Sequence, residues 1–223
     1  MKFSVYHATG TMFLESIKEK GLIAMNLDEQ FEVRKALIYL LECVPYEYLD
    51  ERSSEFKSKV HTSYTVFEDF IKQDNRLFQH GNLYVTTSLS KAKKFALARQ
   101  KASELLTSTF NLYTFCENNQ WFGDSEKGEK FREKFKKLFL QLQQENRPIV
   151  LAFETEINSV EPEEGVINEE YIEWFETFLG TEEAREETPE SLRVISPDCI
   201  SPSEITLYEF TTEGDVLPHK LVD

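Results

Sequence analysis

The sequence predicts a mixed α+β domain, and three observations carry that prediction. Short runs rich in β-branched and aromatic residues stand at the start, in the middle and in the last third of the chain. The first two run, through a turn, into segments whose apolar residues recur at helical spacing. The stretches between them read as helical and polar. With 223 residues, 40% apolar and 13% aromatic, the chain can bury a sizeable core. It is taken as one domain over residues 1–223, with helical insertions at about 26–75, 103–147 and 158–188.

In order, "KFSVYH" alternates Phe3, Val5 and His7 on one face of a strand, and "ATGT" punctuates it. A helix with Phe13, Leu14 and Ile17 on one side follows, with Thr11 as its N-cap and Gly21 past its end. Leu27, Phe31, Leu37, Ile38 and Leu41 predict a helix that Pro45 ends, and Tyr64, Phe67, Phe70 and Ile71 predict another. "LYVTTS" is a strand. Ser88 or Ser90 caps the next helix, whose Ala92, Phe95, Ala96 and Arg99 share a face, and its small alanines allow close approach to a sheet. Phe131, Phe135, Leu138, Phe139 and Leu142 stripe a later helix as a packing face, and "RPIVLAFETEI" is apolar enough for a central strand. The acidic stretch 158–188 predicts a helix over about 169–179, and "SLRVIS" and "EITLYEF" are the last two strands.

Charge narrows the function. Twenty-five Lys and Arg against forty Asp and Glu give a net charge of -15, which disfavours nonspecific nucleic-acid binding and anionic membrane surfaces. The N-terminus lacks the apolar core of a signal peptide, and no run approaches the roughly 20 apolar residues of a membrane span, so a cytoplasmic protein is expected. Cys43, Cys116 and Cys199 are too widely spaced to signal a metal site or a disulfide framework. Neither a GxGxxG nor a Walker loop is present.

Three polar residues sit at or within predicted strands. His7 closes the first, Tyr84 lies in the middle one and Glu190 opens "ESLRVI". His7 shares its face with Phe3 and Val5, and Glu190 with Leu192 and Val194, so inward orientation of both at one lip of the core would place them at one cleft. Tyr84 and Phe95 are eleven positions apart.

"VYHATG", "GNLYVTTSLSKAKKFA" and "PESLRVISPDCISPSEI" together resemble the three signature regions of the ADP-ribosyltransferase superfamily. The resemblance is to the His-Tyr-Glu branch that includes diphtheria toxin and the poly(ADP-ribose) polymerases. It covers about a quarter of the chain directly. It implies a split mixed or antiparallel sheet around an NAD cleft, with NAD as substrate and no metal. It places catalytic roles on His7, Tyr84 and Glu190, and NAD contacts on His7, Ala8, Thr9, Tyr84 and Phe95. The sequence departs from the pattern at Ala8, where relatives have Gly, at Phe95, where they have Tyr, and at Ala92, where many have Ser. Glu187 and Glu204 stand close enough to compete with Glu190 as the carboxylate.

The implied chemistry suits these residue types. Breaking the nicotinamide–ribose bond passes through an oxocarbenium-like state, so the site must hold the leaving ring flat and stabilise a sugar cation. Two aromatic faces would sandwich the pyridinium at about 1–2 kcal/mol each. The backbone at Ala8 would orient the carboxamide, and His7 and Thr9 would hold ribose hydroxyls. Ionised Glu190 would bind the ribose 2'-hydroxyl and stabilise the cation, a contribution of about 10²–10³ in rate. The acceptor stays open between protein, nucleic acid and small molecule; in related families such compact transferases act as toxins, effectors or antiviral factors. Two other readings stand beside this one: an RNA-modifying relative of the 2'-phosphotransferase kind, and a catalytically inactive nucleotide- or protein-binding module.

Overall fold

The computed structural model describes residues 2–45, 81–122, 126–162, 175, 178, 181–187, 191–195, 199–210 and 216–222. The helix expected around 63–71 and most of the one expected over 169–179 lie outside them, as does Glu190. The described chain is mixed α and β, built on a seven-stranded antiparallel sheet. The strands are β1 (Lys2–Gly10), β2 (Leu83–Thr86), β3 (Pro148–Glu156), β4 (Val160–Pro162), β5 (Ser191–Val194), β6 (Thr206–Phe210) and β7 (Val216–Lys220). Their spatial order is β4-β5-β2-β1-β3-β6-β7.

The chain divides into two compact units, each described by itself. The first comprises residues 1–25, 81–102 and 145–223 and holds the whole sheet. The second comprises 26–80 and 103–144, which are largely the first two segments expected as insertions.

In the first unit the period-two pattern of the strands sets the two faces of the sheet. Phe3 and Val5 of β1, Leu83 and Val85 of β2, Ile149, Leu151 and Phe153 of β3, and Leu192 and Val194 of β5 bury one face in a single core. Ile17 of helix α1 (Leu14–Lys20) joins that core. The other face is covered by α4 (Leu89–Ala98), whose Ala92 and Ala96 lie on Val150, flanked by Tyr6, Ala8 and Tyr208. Having no side chain beyond Cβ, the alanines bring the helix axis close to the strands, as their spacing predicted. β3 is thus covered on both faces, which is why Ile149 through Phe153 are all buried and the run is unbroken by polar residues.

Several local expectations are corrected. Thr11 does not cap α1: a 3₁₀ turn, Thr11–Phe13, intervenes, and the Thr11 hydroxyl instead accepts from the Arg147 backbone N–H at 2.9 Å. The helix expected from Leu27 to Leu41 is two, α2 (Leu27–Phe31) and α3 (Val33–Cys43), separated by Glu32 in the left-handed conformation. Its buried stripe is Val33, Ala36, Leu37, Leu40 and Cys43, while Ile38 is exposed. β4 and β7 were not foreseen. β7 contains Pro218 and lies at a sheet edge, where a residue without an N–H is tolerated.

The second unit is helical where described. It contains α2, α3, α5 (Glu104–Asn118), α6 (Glu126–Lys134) and α7 (Lys136–Gln143). Tyr39, Tyr113, Phe122, Phe131, Phe135 and Phe139 form its aromatic core, with ring centroids 5.2–6.0 Å apart. The stripe expected through Phe131, Phe135, Leu138, Phe139 and Leu142 on one helix is divided between α6 and α7 and is buried except at half-buried Phe139.

Candidate functional site

The sheet has a seam. β1 pairs with β3 over nine positions and β2 pairs with β5 over four, but β1 and β2 share a single partner pair, Tyr6 with Thr86. His7 and Tyr84 lie on the same side of that pair, where the ladder does not continue. There the His7 ring meets the backbone of β2, with Nδ1 2.8 Å from the Tyr84 carbonyl oxygen. A carbonyl only accepts, so Nδ1 carries the hydrogen and, in the neutral ring, Nε2 keeps a free lone pair. Burial of the ring is the largest effect on its titration and pushes the pKa below the ordinary 6.5; the charge of Arg99 adds to this, and the Tyr84 carbonyl pulls back. His7 is therefore neutral near pH 7. Among the described residues Nε2 has no hydrogen-bond partner.

Alternation along β1 puts Thr9 on the face that carries His7 and turns Ala8 toward α4. Thr9 is only 5% exposed, and its hydroxyl makes no hydrogen bond among the described residues.

Tyr84 sits between buried Leu83 and Val85, so the pleat directs it to the α4 side of the sheet, opposite Arg193 of β5. Arg193 is paired with Glu161. Tyr84 is half-buried, its ring makes no aromatic contact and its hydroxyl no hydrogen bond among the described residues. Phe95, half-buried on α4, differs. Lys91 Nζ lies 5.7 Å and Arg99 Cζ 5.0 Å from its ring centroid, one turn before and one turn after it. Among the described residues the expected sandwich therefore has one ring with no aromatic contact, Tyr84, and one ring already facing cations of its own helix. No aromatic contact joins the two among the described residues.

The carboxylates are sorted by their hydrogen bonds. Glu204 accepts from the Ser201 backbone N–H at 3.2 Å in a capping box at Pro202–Glu204, and Glu187 is exposed. Sequence reasoning missed Glu186. It lies on α8 (Glu182–Glu187), and its carboxylate accepts from the Ser88 hydroxyl at 2.8 Å, the Leu89 N–H at 2.8 Å and the Ser90 N–H at 3.4 Å. Partial burial raises its pKa, but the bonds from Ser88, Ser90 and Leu89 outweigh that and hold the carboxyl below its ordinary value. Nothing local marks Glu186, because its hydrogen-bond partners are 96 to 98 positions away in the chain. Glu190 itself is outside the described residues; Ser191, which follows it, pairs with Thr86.

Among the described residues no group of three or more His, Cys, Asp or Glu side chains is placed to hold a metal ion, and no helix is long and apolar enough to cross a membrane. No protein-family model, curated protein or solved structure matches the chain.

Proposed function

We propose that the protein is an NAD-dependent ADP-ribosyltransferase, which cleaves the bond between nicotinamide and ribose and passes ADP-ribose to an acceptor not yet identified. One observation carries this reading. The three segments that resemble the superfamily's signature regions lie on neighbouring strands, β1, β2 and β5, and His7 reaches Tyr84 where the first two part. Beside the point where β1 and β2 part, His7 and Thr9 face one side of the sheet and Tyr84 the other, and these are residue types that suit a sugar and a flat ring.

In this reading the Nε2 lone pair of His7 accepts a ribose hydroxyl, and the Thr9 hydroxyl holds that ribose or its neighbour. Tyr84 presents a ring face to the nicotinamide, while the Ala8 backbone takes the carboxamide. Glu190 binds the ribose 2'-hydroxyl and stabilises the oxocarbenium-like cation, which develops as electrons of the breaking bond leave with nicotinamide.

Release of nicotinamide from NAD, followed chromatographically, tests the reading directly. E190Q, H7A and Y84A are each expected to lower the rate by about 10²-fold or more. Wild-type protein that neither binds NAD nor releases nicotinamide with any acceptor offered would overturn it. The cations over Phe95 favour one second reading, a module that binds a nucleotide without turning it over. Calorimetric binding of ADP-ribose together with no nicotinamide release would select that reading.

A further inference from the structure

Two ties join the first turn of α4 to the chain on either side of Glu190. On one side Glu186 accepts from Ser88, Leu89 and Ser90. On the other, Lys91 Nζ donates to the Ser191 hydroxyl at 2.9 Å, and Ser191 pairs with Thr86 of β2. The helix does not depend on Glu186 for a cap, because the Ser88 hydroxyl already accepts from the Lys91 N–H at 2.9 Å. The carboxylate engages the next two amides instead, where the helix dipole favours negative charge. α8 contains four glutamates, and Glu187, exposed, makes no such tie among the described residues.

We propose that Glu186 is a positioning residue: its carboxylate clasps α4, the helix that carries Phe95, to the chain entering β5, the strand that follows Glu190. The proposal rests on the transferase reading for its consequence, since a clasp between these two elements fixes the distance between an aromatic wall and the strand that follows Glu190. Its own evidence is the three hydrogen bonds and the Lys91–Ser191 tie. Glu186 contacts backbone and a capping hydroxyl, not the His7–Tyr84 seam, so its removal loosens alignment without deleting a substrate contact.

Amide hydrogen exchange and NAD turnover on E186A and E186Q separate the clasp from the chemistry. In E186A, peptides covering 181–195 and the first turn of α4 are expected to exchange about tenfold faster, while β3 and α5 keep their protection. Turnover should fall about tenfold in kcat with KM for NAD within about twofold, because alignment and not binding is lost. E186Q retains a carbonyl acceptor for the Leu89 N–H and should recover most of both effects. Unchanged exchange over 181–195 in E186A would overturn the clasp, as would a raised KM with unchanged kcat, which would make Glu186 a substrate contact. If wild-type protein releases no nicotinamide, the transferase reading falls and the exchange result alone decides the clasp.

Discussion

The seam between β1 and β2 can be tested by replacing His7 in two ways. In H7A the Tyr84 carbonyl loses its donor, and a buried orphan acceptor costs about 1–3 kcal/mol. In H7N the side-chain amide places an N–H about where Nδ1 stands, so the bond survives and the cost stays under about 1 kcal/mol. Titration gives a second signature. His7 has a folded pKa below the ordinary 6.5, so between the two values the unfolded chain takes up a proton that the native ring refuses. Native stability is then complete above the ordinary value and falls as pH drops toward the folded one, by at most about 1.4 kcal/mol per pH unit. Urea unfolding at about pH 7.5 and about pH 5.5, followed by circular dichroism, measures both effects. Wild type should lose stability on acidification, H7N should lose less, and H7A should be the least stable at the higher pH. Equal stability of H7A and H7N there, or a wild-type pH slope that persists in H7N, would refute the placement of the ring against the Tyr84 carbonyl.

Two further substitutions probe how the first unit is closed. Gly21 ends α1 at φ +80°, and a Cβ there would collide with Cys199 Sγ and lie 2.5 Å from the Ile200 carbonyl oxygen, where Leu22 and Ile200 form a bridge. G21A should cost about 2 kcal/mol or more in a thermal or urea melt, and an unchanged melt would contradict this close approach. Ala96 is 2% exposed in the layer between α4 and the sheet. A96L should destabilise by about 1–3 kcal/mol through overpacking, whereas leucine at exposed Leu97 replaced by lysine should change little; equal effects would refute the packing of α4.

Much of the fold was legible because it is written in local patterns. The alternation of Phe3 and Val5, the unbroken apolar run of Ile149 to Phe153, the Ser88 cap and the Ala92–Ala96 face each arise from a period of two or 3.6, which a window of residues reveals. The misses have the opposite character. Thr11 reads as a cap until Arg147, 136 positions away, takes its hydroxyl. The break at Glu32 is a single left-handed residue inside an otherwise helical pattern, and β4 and β7 are short strands in which Pro162 and Pro218 mask the signal.

The candidate site divides in the same way. His7 and Tyr84 stood out as polar residues of predicted strands and Phe95 by its spacing from Tyr84, whereas Ala8 and Thr9 came only from the resemblance of the motifs. No sequence feature announced that Phe95 would face Lys91 and Arg99, that His7 would bond to the Tyr84 carbonyl or that Glu186 would occupy the start of α4.

By itself the sequence determined most of the longer strands and helices and their apolar faces, since those follow from side-chain periodicity and backbone preference over a few residues. Tertiary structure alone decided that β1 and β2 meet at a single pair, that the His7 proton sits on Nδ1 and that Glu186 holds α4. Each of these depends on hydrogen bonds between groups 77 to 98 positions apart, whose partners exist only once the sheet has assembled.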